Sequence, residues 1–201
     1  MELRVTFSAI NDDEVLSPED LAEIELLVPE SRPTTEPGEV GVGAAGFGIV
    51  VVLQVAEHIV NDLGSWVGLG LALRELIKWR VTKTKRSVTI TDEKTLGAIA
   101  ASALPSAWLE DLSVTDYQGS QPLFGRAPPG PNWIGTDERD MWVATFKRPG
   151  DAIFIYLSPT GTVLAYVRVP SQTFYNGVDW VSRTQDEVAE LFRRWNTDHD
   201  S

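Results

Sequence analysis

Residues 40–79 read VGVGAAGFGIVVVLQVAEHIVNDLGSWVGLGLALRELIKW, and no other segment of the chain is as long, as apolar or as rich in glycine. Its first part, residues 40–55, has only Gln54 as a strongly polar side chain. Beyond it, Gln54, Glu57, His58, Asn61 and Asp62 recur at i, i+3, i+4, i+7 and i+8, the spacing of one wet helical face. Val52, Val55, Ala56, Ile59, Val60 and Leu63 turn away from that face. Gly64-Ser65 can end this helix and begin another. Trp66, Leu69, Leu73, Leu76 and Ile77 then repeat at helical spacing, with Arg74, Glu75 and Lys78 on the polar side. The pattern predicts two helices in a hairpin, or one long kinked helix, packed closely through glycines.

A membrane span needs about 20 mostly apolar residues. Residues 40–56 are 17 with a Gln near one end, and Glu57, His58 and Asp62 are costly in lipid. The expectation is therefore a packed hairpin in a cytoplasmic protein, with peripheral membrane attachment through residues 40–79 as an alternative. The N-terminus has no basic head followed by an apolar run, so no signal peptide is expected.

Outward from that stretch, Leu3, Val5 and Phe7 alternate with polar residues as in a half-buried strand. Ser17-Pro18-Glu19-Asp20 reads as a helix start, with Ser17 as cap and Pro18 at the first helical position. The helix should run to about Val28, although residues 24–28 also suit a short strand. Residues 29–39, PESRPTTEPGE, read as a loop. On the other side, residues 87–91 (SVTIT) form a strand by β-branching. Thr91 or Asp92 caps a helix that ends before Pro105. If the 87–91 strand pairs with the first, the N-terminal half is a small sheet covered by helices. The acidic N-terminal segment then lies near the basic run Lys78, Arg80, Lys83, Lys85 and Arg86.

From Ser106 the character changes. Residues 113–117 suit a strand, and residues 118–132 (QGSQPLFGRAPPGPN) read as a long loop. Residues 141–146, 152–157 and 163–169 are three strands. Pro149-Gly150 suits a type II turn, and Gly161 a turn with a bulge. Ile153, Ile155 and Leu157 fill one face, Phe154 and Tyr156 the other, so both faces should be covered. Thr184-Gln185-Asp186-Glu187 is a capping box, and Val188, Leu191, Phe192 and Trp195 give its helix an apolar stripe. The fold class is α+β: a small sheet with a Gly-rich apolar helical hairpin, then an antiparallel three-stranded meander packed by a C-terminal helix. Residues 1–105 and 106–201 read as two domains or as halves of one core.

Composition narrows the function. The 201 residues contain no cysteine, which excludes disulfides, thiol catalysis and Cys-based metal sites. The net charge of −12 is uneven: residues 1–39 hold eleven acidic residues and two arginines, a balance of −9, so the other 162 sum to −3. An acidic chain repels phosphate backbones, which disfavours nucleic acid as the partner.

Catalytic signatures are weak. His58 and Asp62 make an i, i+4 pair, but there is no second histidine nearby and no HExxH motif. Neither GxSxG nor a Walker A motif occurs. A literal GxGxxG is present at residues 41–46, but it comes after a proline-rich segment where dinucleotide binding needs a strand leading into a helix. Asp137, Glu138 and Asp140 lack EF-hand spacing. We therefore expect no enzyme activity, no cofactor and no metal site. Phe124, Trp133, Tyr175 and Trp180 sit near Pro, Gly and Asn. They are either buried anchors of irregular loops or, with Asp137 and Glu138, a partner-binding patch, since Trp and Tyr on loops are hot-spot material.

The layout LRVTF, short helix, Gly-rich apolar region ending in LALRELIKWRVTKTKR, then SVTIT resembles the bacterial effector-associated constant component family. That resemblance covers the first hundred residues. It implies a non-catalytic component working beside effectors in bacterial conflict or signalling systems. GDAIFIYLSPTGTV followed by TQDEVAELFRRW looks like the SUKH-type immunity proteins, which implies toxin binding through a protein surface. The expectation is a protein-interaction or regulatory module with another protein as partner. Homo-oligomerisation through the Gly-rich helices is a further expectation, and an acidic immunity protein is an alternative.

Overall fold

A computed structural model describes residues 1–9, 14–40, 46–56, 59, 61–123 and 141–170. They form an α+β architecture of two four-stranded antiparallel sheets with helices between and beside them. The first sheet contains β1 (Glu2–Ser8), β2 (Ser31–Val40), β3 (Gly46–Val55) and β4 (Val88–Thr89), in the order β2-β3-β1-β4. The second contains β5 (Tyr117–Leu123), β6 (Met141–Arg148), β7 (Asp151–Leu157) and β8 (Val163–Pro170), in sequence order. The helices are α1 (Pro18–Leu27), α2 (Leu63–Thr84), α3 (Glu93–Ala101) and the single turn α4 (Ser106–Leu109), with a 3-10 turn at Val114–Asp116.

The apolar stretch at residues 40–79 divides differently from expectation. Its first arm is not a helix but the strand β3, held between β1 and β2. Ile49, Val50, Val51 and Val52 are β-branched and stiff at χ1, which suits a strand flanked on both sides. Ile49, Val51, Leu53 and Val55 alternate onto the core side and are buried, and Gln54 points out and is exposed. The polar stripe read as one helical face is therefore divided. Gln54 lies on a strand, and Asp62 is the N-cap of α2, accepting from the Ser65 N–H at 2.7 Å. The second arm is the helix α2, and Gly64-Ser65 lies in its first turn.

Residues 31–40 are likewise a strand and not a loop. The full β2–β3 register outweighs local composition. An edge strand tolerates Pro33 and Pro37 because only N–H groups on its β3 side belong to the ladder. Residues 118–123, expected to open a loop, belong to β5, and residues 114–116 form a 3-10 turn.

Other elements agree with the sequence. Ser17 and Asp20 form a reciprocal capping box on α1, with Pro18 in the first turn. The strand at 87–91 does pair antiparallel with the first, through Thr6–Thr89 and Phe7–Val88, and Asp92 caps α3. The meander β6–β7–β8 forms, with Gly150 at φ 105° and Gly161 at φ 77° in its turns. Every residue of β7 is buried, on both faces. The helix expected after residue 184 lies outside the described residues.

α3 joins the two sheets. It runs among α2, β1 and strands β5 to β7, and Thr95 to Ala101 are all buried. Its small residues permit that position. A Cβ on Gly70 of α2 would stand 2.0 Å from the Ala98 carbonyl oxygen, and one on Gly97 would stand 2.5 Å from the Tyr117 ring. These two glycines thus serve close packing within the chain. Leu3, Val5, Phe7, Leu73 and Ile99 share one buried cluster with Phe146, Ile153 and Ile155. Residues on either side of position 105 therefore contribute to the same core. The Ile90 N–H also donates to the Pro159 carbonyl at 2.7 Å, linking the end of β4 to the β7–β8 turn.

Candidate functional site

The six residues singled out as partner-binding candidates, Phe124, Trp133, Asp137, Glu138, Tyr175 and Trp180, all lie outside the described residues, as do Asp140, His58 and His199. The GxGxxG motif is described only at Gly46, where β3 begins. Its last glycine leads into a strand and not into the helix that a pyrophosphate site requires. Among the described residues no group of three or more His, Cys, Asp or Glu could hold a metal ion, and no helix is long and apolar enough to cross a membrane.

Two polar constellations are described. The first joins the acidic segment to the basic run, as the sequence suggested. Lys83 donates to Asp20 at 2.7 Å and to Glu23 at 2.9 Å, and the Trp79 indole N–H donates to Glu23 at 2.7 Å. Burial works against ionisation of Asp20, but bonds from Lys83 and Ser17 outweigh it and hold its carboxyl below the usual range. Arg86 and Arg80 both reach Glu14. Arg80 is only 3% exposed and lies 4.9 Å from the centre of the Phe7 ring. Burial lowers its pKa, against the pull of Glu14. These pairs fasten α1 and the segment before it to the C-terminal end of α2. Their chemistry is that of a clasp.

The second constellation lies where the inner face of the β5–β8 sheet emerges beside α4. Residues Ile153 and Ile155 of β7 are core, and their β8 neighbours across the ladder are Arg168 and Tyr166. Tyr166 and Arg168 thus share the core's side of the sheet but lie at its rim. The Trp108 ring of α4 stands edge-on to Tyr166, with centroids 5.4 Å apart and planes at 87°. The Arg168 guanidinium lies 5.6 Å from the centre of the Trp108 ring. Its Nε donates to Asp151, which also takes two hydrogen bonds from Arg148, one of them at 3.0 Å. Arg148 reaches across to Asp111 at 3.2 Å. The Arg148 hydrogen bonds, opposed by burial and supported by Arg168, hold the Asp151 carboxyl low, and the same bonds raise the Arg148 pKa.

This rim is accessible. Tyr166 is 47% exposed and Leu164 36% exposed, and Arg168 is exposed beside them. The arrangement offers ring faces, a phenol and a fixed cation to another surface. Among the described residues it contains no nucleophile with an adjacent base. Sequence reasoning overlooked Trp108, Tyr166 and Arg168. The alternation Leu164, Tyr166, Arg168 along β8 was a visible sign, whereas nothing in the sequence placed Trp108 beside it. Comparison with protein-family models, with curated proteins and with solved structures returned no match.

Proposed function

We propose that the protein is a non-catalytic interaction module that engages another protein through the Trp108–Tyr166–Arg168 rim. The observation that carries this reading is the rim itself: two aromatic rings and an arginine held in place by Asp151, partly open to solvent. Tyr, Trp and Arg are the residues enriched at binding hot spots. Their conformational freedom is already spent in the folded chain, which lowers the cost of ordering them on binding. The likeness of the first hundred residues to effector-associated components agrees with a partner-directed role.

The test is affinity capture with the intact chain and with a Trp108→Ala/Tyr166→Ala variant shown by circular dichroism to be folded. A protein retained by the first and lost from the second supports the reading. An unchanged set of captured proteins removes it.

A further inference from the structure

We infer that Pro33 and Pro37 close the free edge of β2 to a second copy of this chain, and that without them two copies join edge to edge into one continuous sheet. β2 is the terminal strand of the first sheet, and Arg32, Thr34, Thr35, Glu36 and Pro37 are exposed along it. An open edge of this kind presents a row of unpaired backbone groups, which is a template for another strand. Two identical edges meet antiparallel about a two-fold axis, so the same chain is always available as the partner strand.

The register fixes which groups lie on that edge. The Val55 N–H donates to the Met1 carbonyl at 2.8 Å, and the Met1 amino group donates to the Val55 carbonyl at 2.9 Å, so the polar groups of Val55 face β1. Ser31 stands opposite Val55 on β2 and therefore turns its own N–H and C=O away from β3. These groups alternate sides along a strand, so positions 33, 35 and 37 share the outward side with Ser31. At 33 and 37 the residue is proline, which has no N–H to give and sets a ring carbon where the hydrogen would stand. Only Thr35 keeps its outward donor among these three. Charge by itself favours the pairing that the prolines prevent. In a two-fold register about Thr34, Arg32 of each copy faces Glu36 of the other, an opposite-charge cross-strand pair. The backbone, and not the side chains, is what closes the edge.

The experiment measures the mass in solution of the intact chain and of a Pro33→Thr/Pro37→Thr variant by analytical ultracentrifugation over a concentration series. Threonine suits a strand, and neither proline donates to the β3 ladder, so the variant should fold, which circular dichroism checks. Its mass should rise with concentration to about twice that of the unaltered chain, because a two-fold edge pairing closes on itself. Adding Thr35→Pro should return the mass to that of the unaltered chain, since it removes the remaining outward donor and leaves the ladder to β3 intact. Aggregation of the double variant that Thr35→Pro abolishes supports the same pairing. If the double variant does not fold, Pro37→Thr alone, at an exposed position, carries the same comparison. A folded variant with the mass of the unaltered chain at every concentration would overturn the inference, and so would association that Thr35→Pro leaves unchanged.

Discussion

The Trp108 ring meets Tyr166 edge-on at 5.4 Å, and this contact ties the one-turn helix α4 to the last strand of the described sheet. Edge-to-face pairs contribute about 0.5–1.5 kcal/mol beyond burial. Tyr166→Ala should therefore lower unfolding stability by roughly 1 kcal/mol, whereas Tyr166→Phe should leave it nearly unchanged. Chemical denaturation of the three proteins checks this. Equal losses in both variants would mean that the phenol, and not the ring, matters to the fold.

Thr95 offers a sharper test of the core. It is fully buried, and its hydroxyl accepts from the Arg4 N–H of β1 at 2.9 Å while donating to Asp92 at 2.6 Å. Where no strand pairs with this part of β1, a helix side chain takes the ladder's place. Thr95→Val keeps the shape and removes both the acceptor of the Arg4 N–H and a donor to Asp92, which should cost about 1–3 kcal/mol. Thr95→Ser should recover most of that in a urea titration.

Gly70→Ala should be poorly tolerated, because the new Cβ would strike the Ala98 carbonyl and not the end of a flexible side chain. Overpacking of this kind costs about 1–3 kcal/mol. Gly68→Ala is the control, since nothing lies within 4 Å of its Cβ position. A helix gains from that change by up to about 1 kcal/mol. Thermal melts of the two variants should move in opposite directions.

Stability should fall in acid. Asp151 and Asp20 both have carboxyls held below the ordinary range in the folded chain. A depressed folded pKa gives stability that is complete above the unfolded value, about 3.9, and is lost as pH falls through the folded value. Asp151→Asn should therefore flatten the pH dependence of the urea midpoint below about pH 5 and change it little above. A variant that keeps the full acid slope would show that Asp151 contributes nothing to it.

How far the sequence speaks depends on the residue. Ser17, Pro18 and Asp20 specify the start of α1 locally, and the capping box forms as written. The alternation at Ile153, Phe154, Ile155 and Tyr156 correctly implied burial on both faces of β7. Residues 31–40 did not disclose a strand, because Pro33, Pro37 and Gly38 disfavour one locally and only the ladder to β3 overrides them. Residues 46–55 misled because an apolar run lacking polar alternation suits a buried strand and a buried helix equally. The clasp was legible as charge asymmetry, since eleven acids precede a run of five cations. The rim was not, because Trp108 and Tyr166 are 58 positions apart and meet only through the fold.

Hydrogen–deuterium exchange of the chain with and without a captured partner bears directly on whether the rim is the binding surface. Binding there should slow exchange at residues 106–112 and 163–168 and leave the α1–α2 clasp unchanged. Protection confined to other segments, with the rim exchanging as in the free protein, would rule the rim out as the binding surface.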